Sequence, residues 1–159
     1  SQQSAAKGEY VISAGLTPKL QAMEIARVAI EKFKLKRFAI VFPRDRFGEQ
    51  YSQSFWDAIE SMGGQIVGYE SYAPGETDFR AAIDKLSGTY YTDSRKREIE
   101  ELAKKREELK ITKRTRKTAM YFDLPPIVNF EAVFIPDDPK TVAQIVPMFA
   151  YRDIDKIRF

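Results

Sequence analysis

The sequence contains no cysteine, no histidine and a single tryptophan among its 159 residues. Without histidine there is no Ser-His-Asp triad, no Cys-His pair and no imidazole base. Without cysteine or histidine the usual zinc and iron–sulfur ligands are missing. No disulfide framework can form, so composition leaves the redox compartment open. No apolar run approaches about 18 residues, so no transmembrane helix is expected. The opening Ser1-Gln2-Gln3-Ser4-Ala5-Ala6 has neither the basic nor the apolar region of a signal peptide, although a trimmed chain could have lost one. No internal repeat of fixed period is present. Carboxylates, lysine, hydroxyls and tyrosine are what remain for chemistry.

What is present is 43% hydrophobic and 31% charged. That composition and length suit one globular domain able to bury a core without staples. The charge is unevenly spread. Arg95 to Lys117 carries 11 basic and 5 acidic side chains, against 15 basic and 18 acidic elsewhere. The basic pI of about 9.0 therefore belongs to one segment.

Strand and helix signals alternate. Tyr10-Val11-Ile12-Ser13 is a short β-prone run. Thr17-Pro18 is an N-cap with proline at N1, and Met23, Ala26, Ile30 and Phe33 then mark a helix over 18–34. Arg37 to Phe42 is a nearly continuous apolar run, as a strand covered on both faces would be. Tyr51, Phe55, Ile59 and Met62 share a second helical face, closed by Gly63-Gly64. Gln65 to Tyr72 is a strand, and Pro74-Gly75 is a turn. Thr77 or Asp78 caps a helix carrying Phe79, Ile83 and Leu86. Ala132 to Ile135 is a further strand. Asp138-Pro139 caps a helix with a stripe of Val142, Ile145, Val146 and Phe149, in which Pro147 introduces a kink. Lys156 to Phe159 begins a fifth strand.

This order predicts an α/β three-layer sandwich. A mainly parallel sheet of about five strands carries helices on both faces. Ending on a strand suggests a piece of something longer. Residues 1–159 then form one lobe, interrupted by a charged, partly helical insertion over 89–130. Within it, 93–110 reads as a solvated helix with a thin stripe of Ile99, Leu102, Arg106 and Leu109, and 111–118 reads as mobile. The insertion is a solvated helix or partner surface, with an anionic polymer or membrane surface as alternatives. Residues 93–119 contain no aromatic side chain, so no nucleic acid is expected.

Open parallel sheets bind ligands beyond the carboxyl ends of their strands, where loops and helix N-termini converge. Four loops lie there: Ala14-Gly15-Leu16, Pro43 to Phe47, Ala73 to Asp78, and Pro136-Asp137-Asp138. They hold no dinucleotide or P-loop glycine motif and no nucleophile elbow. Asp137-Asp138 can be a carboxylate pair for Mg²⁺ or a ligand ammonium. Alternatively Asp138 caps its helix and Asp137 is a solvated loop residue, and both readings can hold for different residues of the pair. Phe47 offers either an aromatic wall to the crevice or a contact folded onto the core, while Arg44 and Arg46 read mainly as solvated. Trp56 and the pair Tyr90-Tyr91 read as packing. No catalytic residue, resident metal or cofactor is expected.

The ordered set Thr17-Pro18, Phe38-Ala39-Ile40-Val41-Phe42-Pro43, Asp45-Arg46-Phe47-Gly48, Phe55-Trp56, Gly63-Gly64 and Gly75-Glu76-Thr77-Asp78-Phe79 resembles type I periplasmic solute-binding proteins. These are the leucine/isoleucine/valine-binding-like receptors of ABC transporters. Phe134-Ile135-Pro136-Asp137-Asp138 also fits, especially the branch that includes penicillin-binding protein activators. The resemblance covers about 10–90 and 130–159. It implies the second lobe of a two-lobe, extracytoplasmic, non-catalytic protein. A small molecule, an amino acid or similar metabolite, would be shared with the first lobe. It implies Phe47 as the aromatic ligand contact, without the hydroxyl of the family's tyrosine, and Asp137 and Asp138 as the contacts after the later strand. With Arg44 and Gly15 from the neighbouring loops they form the candidate site. An ABC permease is the implied partner, and lipid anchoring through the N-terminus stays open. The long insertion departs from the transport receptors and supports an alternative: an envelope docking protein such as a peptidoglycan synthase activator.

Overall fold

The computed structural model describes residues 17–159. The strand expected at Tyr10–Ser13 lies outside the described residues. Helix α1, Pro18–Arg27, begins where Thr17 Oγ1 accepts from the Leu20 N–H and Pro18 occupies the first turn. It widens into a π-helical turn, Val28–Lys32, and stops at Lys34, whose φ of 57° is left-handed. Strand β1, Arg37–Pro43, is followed by α2, Arg46–Ser61, then β2, Gln65–Tyr72, and α3, Arg80–Leu86. After the insertion with its helix α4, Lys96–Glu108, come β3, Ala132–Phe134, and α5, Pro139–Tyr151.

Among the described residues three parallel strands form the sheet in the order β2-β1-β3. Of the about five strands expected, one lies outside the described residues and the last does not form a ladder. The chain near Lys156 to Phe159 contributes one parallel bridge, Ala132 to Arg158, and no extended ladder. The β1–β2 register slips between Phe38 and Ala39. Gly68 lies there, opposite Ala39, and an added Cβ would displace the tip of Leu86, 2.5 Å away.

The apolar run of β1 is explained by two cores, one on each face. Alternation sends Phe38, Ile40 and Phe42 toward Ala22 and Ala26 of α1 and Tyr51, Phe55 and Ile59 of α2. Ala39 and Val41 face Ile83 of α3 and Ile145 and Phe149 of α5. Phe38 and Ile40 are 1% and 0% exposed, and each such burial stabilises the fold by about 1.5–3 kcal/mol.

The stripe expected on α1 is rotated. Ala22 and Ala26 are fully buried, whereas Met23 and Phe33 remain 40% and 42% exposed. The small alanines let α1 approach its neighbours closely, and larger side chains at those positions would hold it away. The start of α3 also differs. Phe79 takes the N-cap position without a side-chain cap, while Asp78 accepts from the Arg80 N–H and pairs with its guanidinium. Helix α5 passes through Pro147 without a break. Proline cannot donate to the Ala143 carbonyl, so one bond of the ladder is missing.

The insertion is fastened at its root by Arg95, which is 4% exposed. Its guanidinium donates to the Gly88 carbonyl at 3.2 Å, to the Pro125 carbonyl at 2.8 Å and to Glu98 at 2.6 and 3.0 Å. Farther out, Arg106 donates to the Tyr121 carbonyl and lies over the Phe122 ring. Of the expected stripe on α4, Leu102 and Arg106 are half-buried, and Ile99 and Leu109 are exposed. In 111–118, Thr118 Oγ1 accepts from the Thr115 N–H and donates to the Lys113 carbonyl, and Arg114 pairs with Asp123.

Candidate functional site

The three parallel strands all end at one edge, so the loops after β1, β2 and β3 converge there. The Arg44 N–H donates to the Tyr72 carbonyl at 2.7 Å, tying the first loop to the end of β2. Asp45 then caps α2 by accepting from the Gly48 N–H at 2.7 Å. Glycine is required at 48 because an added Cβ would lie 2.1 Å from the Pro43 carbonyl oxygen. This close approach places Phe47 on the first turn of α2 with 52% of its surface exposed. Its ring lies 5.4 Å from that of Tyr51, which lies 5.4 Å from that of Phe134. Phe134 in turn stacks on Phe55 at 4.1 Å, so the exposed ring is backed by an aromatic column running into the core.

Tyr72 ends β2 and its side chain reaches the loop after β3. It is 5% exposed and edge-on to Phe79 at 5.0 Å. Its hydroxyl donates to Asp137 Oδ2 at 2.6 Å. Burial and the Asp137 carboxylate, together with Asp45 and Asp138, hold its phenol far above the usual tyrosine range. Three carboxylates from two loops therefore act on one point. Asp137 Oδ1 accepts from the Asp138 N–H at 2.7 Å, which fixes the carboxylate's orientation. Asp138 accepts from the Thr141 N–H at 2.8 Å and from its hydroxyl at 3.2 Å, and these bonds hold its carboxyl below the usual range. It is the N-cap of α5. In the loop after β2, Gly75 adopts φ 78°, and Arg80 holds the Asp78 carboxyl down to about 2.

Of the residues selected from sequence, Phe47, Asp137, Asp138 and Arg44 stand on this edge, and Arg44 is exposed. Gly15 lies outside the described residues. Tyr72 and Asp45 were not selected. A tyrosine ending a strand, immediately before an edge loop, was the signal for the first. Trp56 is half-buried, edge-on to Tyr69 at 5.1 Å. Tyr90 and Tyr91 are not packed away as expected. They are 48% and 68% exposed and pack mainly on each other beneath the Lys85 ammonium. Among the described residues no group of three or more carboxylates is arranged to hold a metal ion. A cavity of about 520 Å³ lies elsewhere, between the Ile25–Phe33 flank of α1 and the start of β3. An exposed aromatic ring and oriented carboxylates in loops of one sheet edge suit a small molecule with an apolar part and a cationic part.

A family model described as periplasmic binding protein matches residues 2–89, over half of the chain. Among curated proteins, the Leu/Ile/Val-binding protein of Citrobacter freundii is 30% identical over 66 residues, which is 42% of this chain and 18% of that protein. The leucine-specific-binding protein of Salmonella typhimurium is 27% identical over 78 residues, 49% of this chain and 21% of that protein. Among solved structures, a branched-chain amino acid transporter substrate binding protein of Streptococcus pneumoniae, in complex with isoleucine, superposes with a TM-score of 0.55. It is 18% identical, and the match covers 90% of this chain and 29% of that one. An extracellular ligand-binding receptor of Rhodopseudomonas palustris gives 0.56 at 13% identity, covering 89% and 28%. The chain thus spans about a fifth of the curated relatives and under a third of the solved ones. The sequence match covers the Asp-x-Phe-Gly turn and the loop after β2. The chain belongs to the periplasmic binding protein family and carries part of its α/β architecture.

Proposed function

We propose that this chain is the ligand-binding lobe of an extracytoplasmic solute receptor of an ABC transporter, binding without catalysis. The ligand is an amino acid or a similar small metabolite carrying an ammonium group. The observation that supports this reading is that exposed Phe47 and the Asp137 carboxylate held by Tyr72 stand in loops at the same sheet edge. An apolar ligand side chain lies against the Phe47 ring, and its ammonium is drawn to the Asp137 side of the edge. Phenylalanine offers no hydroxyl, so ring contact and shape select the ligand at that position. Arg44 is exposed at the same edge, and the facing lobe completes the enclosure. Release to a permease follows when the lobes part.

Thermal melts of the complete protein with amino acids, small peptides, aromatic acids and sugars test this. A ligand at about 100 times its Kd stabilises by about 2.7 kcal/mol. A clear shift with an ammonium-bearing metabolite supports the proposal. A flat response across the panel refutes it.

A further inference from the structure

The crevice does not use the insertion, which lies at the opposite edge. Ser87 accepts from the Ile127 N–H, and the Glu131 N–H donates to the Arg37 carbonyl at the first residue of β1. The insertion therefore leaves and rejoins the lobe where the strands begin, away from Phe47 and Asp137.

Its outer turn has an unusual charge. Residues 109–118 contain Lys110, Lys113, Arg114, Arg116 and Lys117 and no acidic residue. Arg114 pairs with Asp123, whereas the other four make no ion pair with a described residue. The turn is nevertheless held in shape by the Arg114–Asp123 pair, the Thr115–Thr118 bonds and the Arg106 contact to Tyr121. Leu109 and Met120, which flank it, are 56% and 67% exposed.

We propose that this turn is a docking surface for an anionic phospholipid membrane. Charge complementarity carries the choice of partner. Three of the four unpaired cations are lysines, which are depleted in protein–protein interfaces but act well as point charges on anionic headgroups. Residues 109–120 hold no aromatic side chain to stack on bases, and Tyr121 and Phe122 beyond them are half-buried, Phe122 under Arg106. The two exposed apolar side chains supply a shallow contact with the acyl boundary. Docking at this edge leaves the ligand crevice facing away from the membrane.

The test is co-sedimentation of the complete, unacylated protein with vesicles, either of phosphatidylcholine alone or mixed equally with phosphatidylglycerol. The variant K110N/K113Q/R116Q/K117Q removes four charges and no side-chain bond. Asparagine is chosen at 110 because that residue has φ 54°. Binding is expected only to the anionic vesicles, falling at high salt. Each cation removed lowers partitioning by about fivefold, so the fourfold variant loses it by a factor on the order of several hundred. A circular dichroism melt matching the parent excludes misfolding as the cause. No binding to anionic vesicles at low salt overturns the proposal, as does equal binding by the fourfold variant. Retention on immobilised polyphosphate or by an acidic protein, without vesicle binding, overturns it in favour of those partners.

Discussion

Replacing Tyr72 with phenylalanine removes one oxygen and leaves the ring where it is. The edge-on contact with Phe79 at 5.0 Å is retained, so the loss is confined to the hydroxyl's 2.6 Å bond to Asp137. Hydrogen bonds to charged groups contribute about 1.5–3 kcal/mol. Asp137 is half-buried and can recruit water when its partner goes, so the lower end, about 1.5 kcal/mol, is the expected cost. For a domain of this size that is a fall in Tm of roughly 3–6 °C. The pH dependence is more diagnostic. The Tyr72 phenol is raised in the folded state, so its contribution is fully present below the unfolded tyrosine value of about 10. Above that pH the unfolded chain loses the proton and the folded one keeps it. Stability is then lost at about 1.4 kcal/mol per pH unit. Tyr72→Phe has no such proton. The difference between parent and variant should therefore be constant from pH 6 to about 9 and narrow above about 10. Urea titrations across that range measure it. Equal stability at neutral pH, or a gap that stays constant into the alkaline range, would refute the reasoning.

Gly48→Ala should destabilise by about 3 kcal/mol, because the added methyl meets a backbone carbonyl that cannot move aside. A melt of the variant checks this, and Tm within a degree of the parent contradicts it. Arg95→Ala orphans the Gly88 and Pro125 carbonyls at the insertion's root and should cost about 3 kcal/mol. Limited proteolysis should then cut within 93–118 before the sheet is lost, and an unchanged cleavage rate opposes the clamp.

The alternation of elements was legible because each has a strong local signature. The nearly continuous apolar run of β1 read as a strand covered on both faces, and Thr17-Pro18 and Asp138-Pro139 both cap helices as read. The rotation of α1 was not legible. Periodicity counts Met23, Ala26, Ile30 and Phe33 alike, whereas close helix packing selects Ala22 and Ala26. The cap of α3 was missed because Asp78 has a competing local partner in Arg80. Phe47 and the Asp137-Asp138 pair were selected from their place after strands, and they stand at one sheet edge. Tyr72 was hidden because its bond to Asp137 joins residues 65 positions apart. The Arg95 clamp was hidden for the same reason. A buried arginine in a charged run looks like every other arginine until the two roots of the insertion meet.

The most direct measurement is calorimetric titration of the complete protein with the metabolite that stabilises it best, repeated for Phe47→Ala and Asp137→Asn. Asp137→Asn keeps the acceptor for Tyr72 and removes the charge. The expected result is at least about tenfold weaker binding for each variant, corresponding to about 1.4 kcal/mol, with the fold intact by circular dichroism. Kd values unchanged in both variants would place the ligand elsewhere and contradict a binding site at this sheet edge.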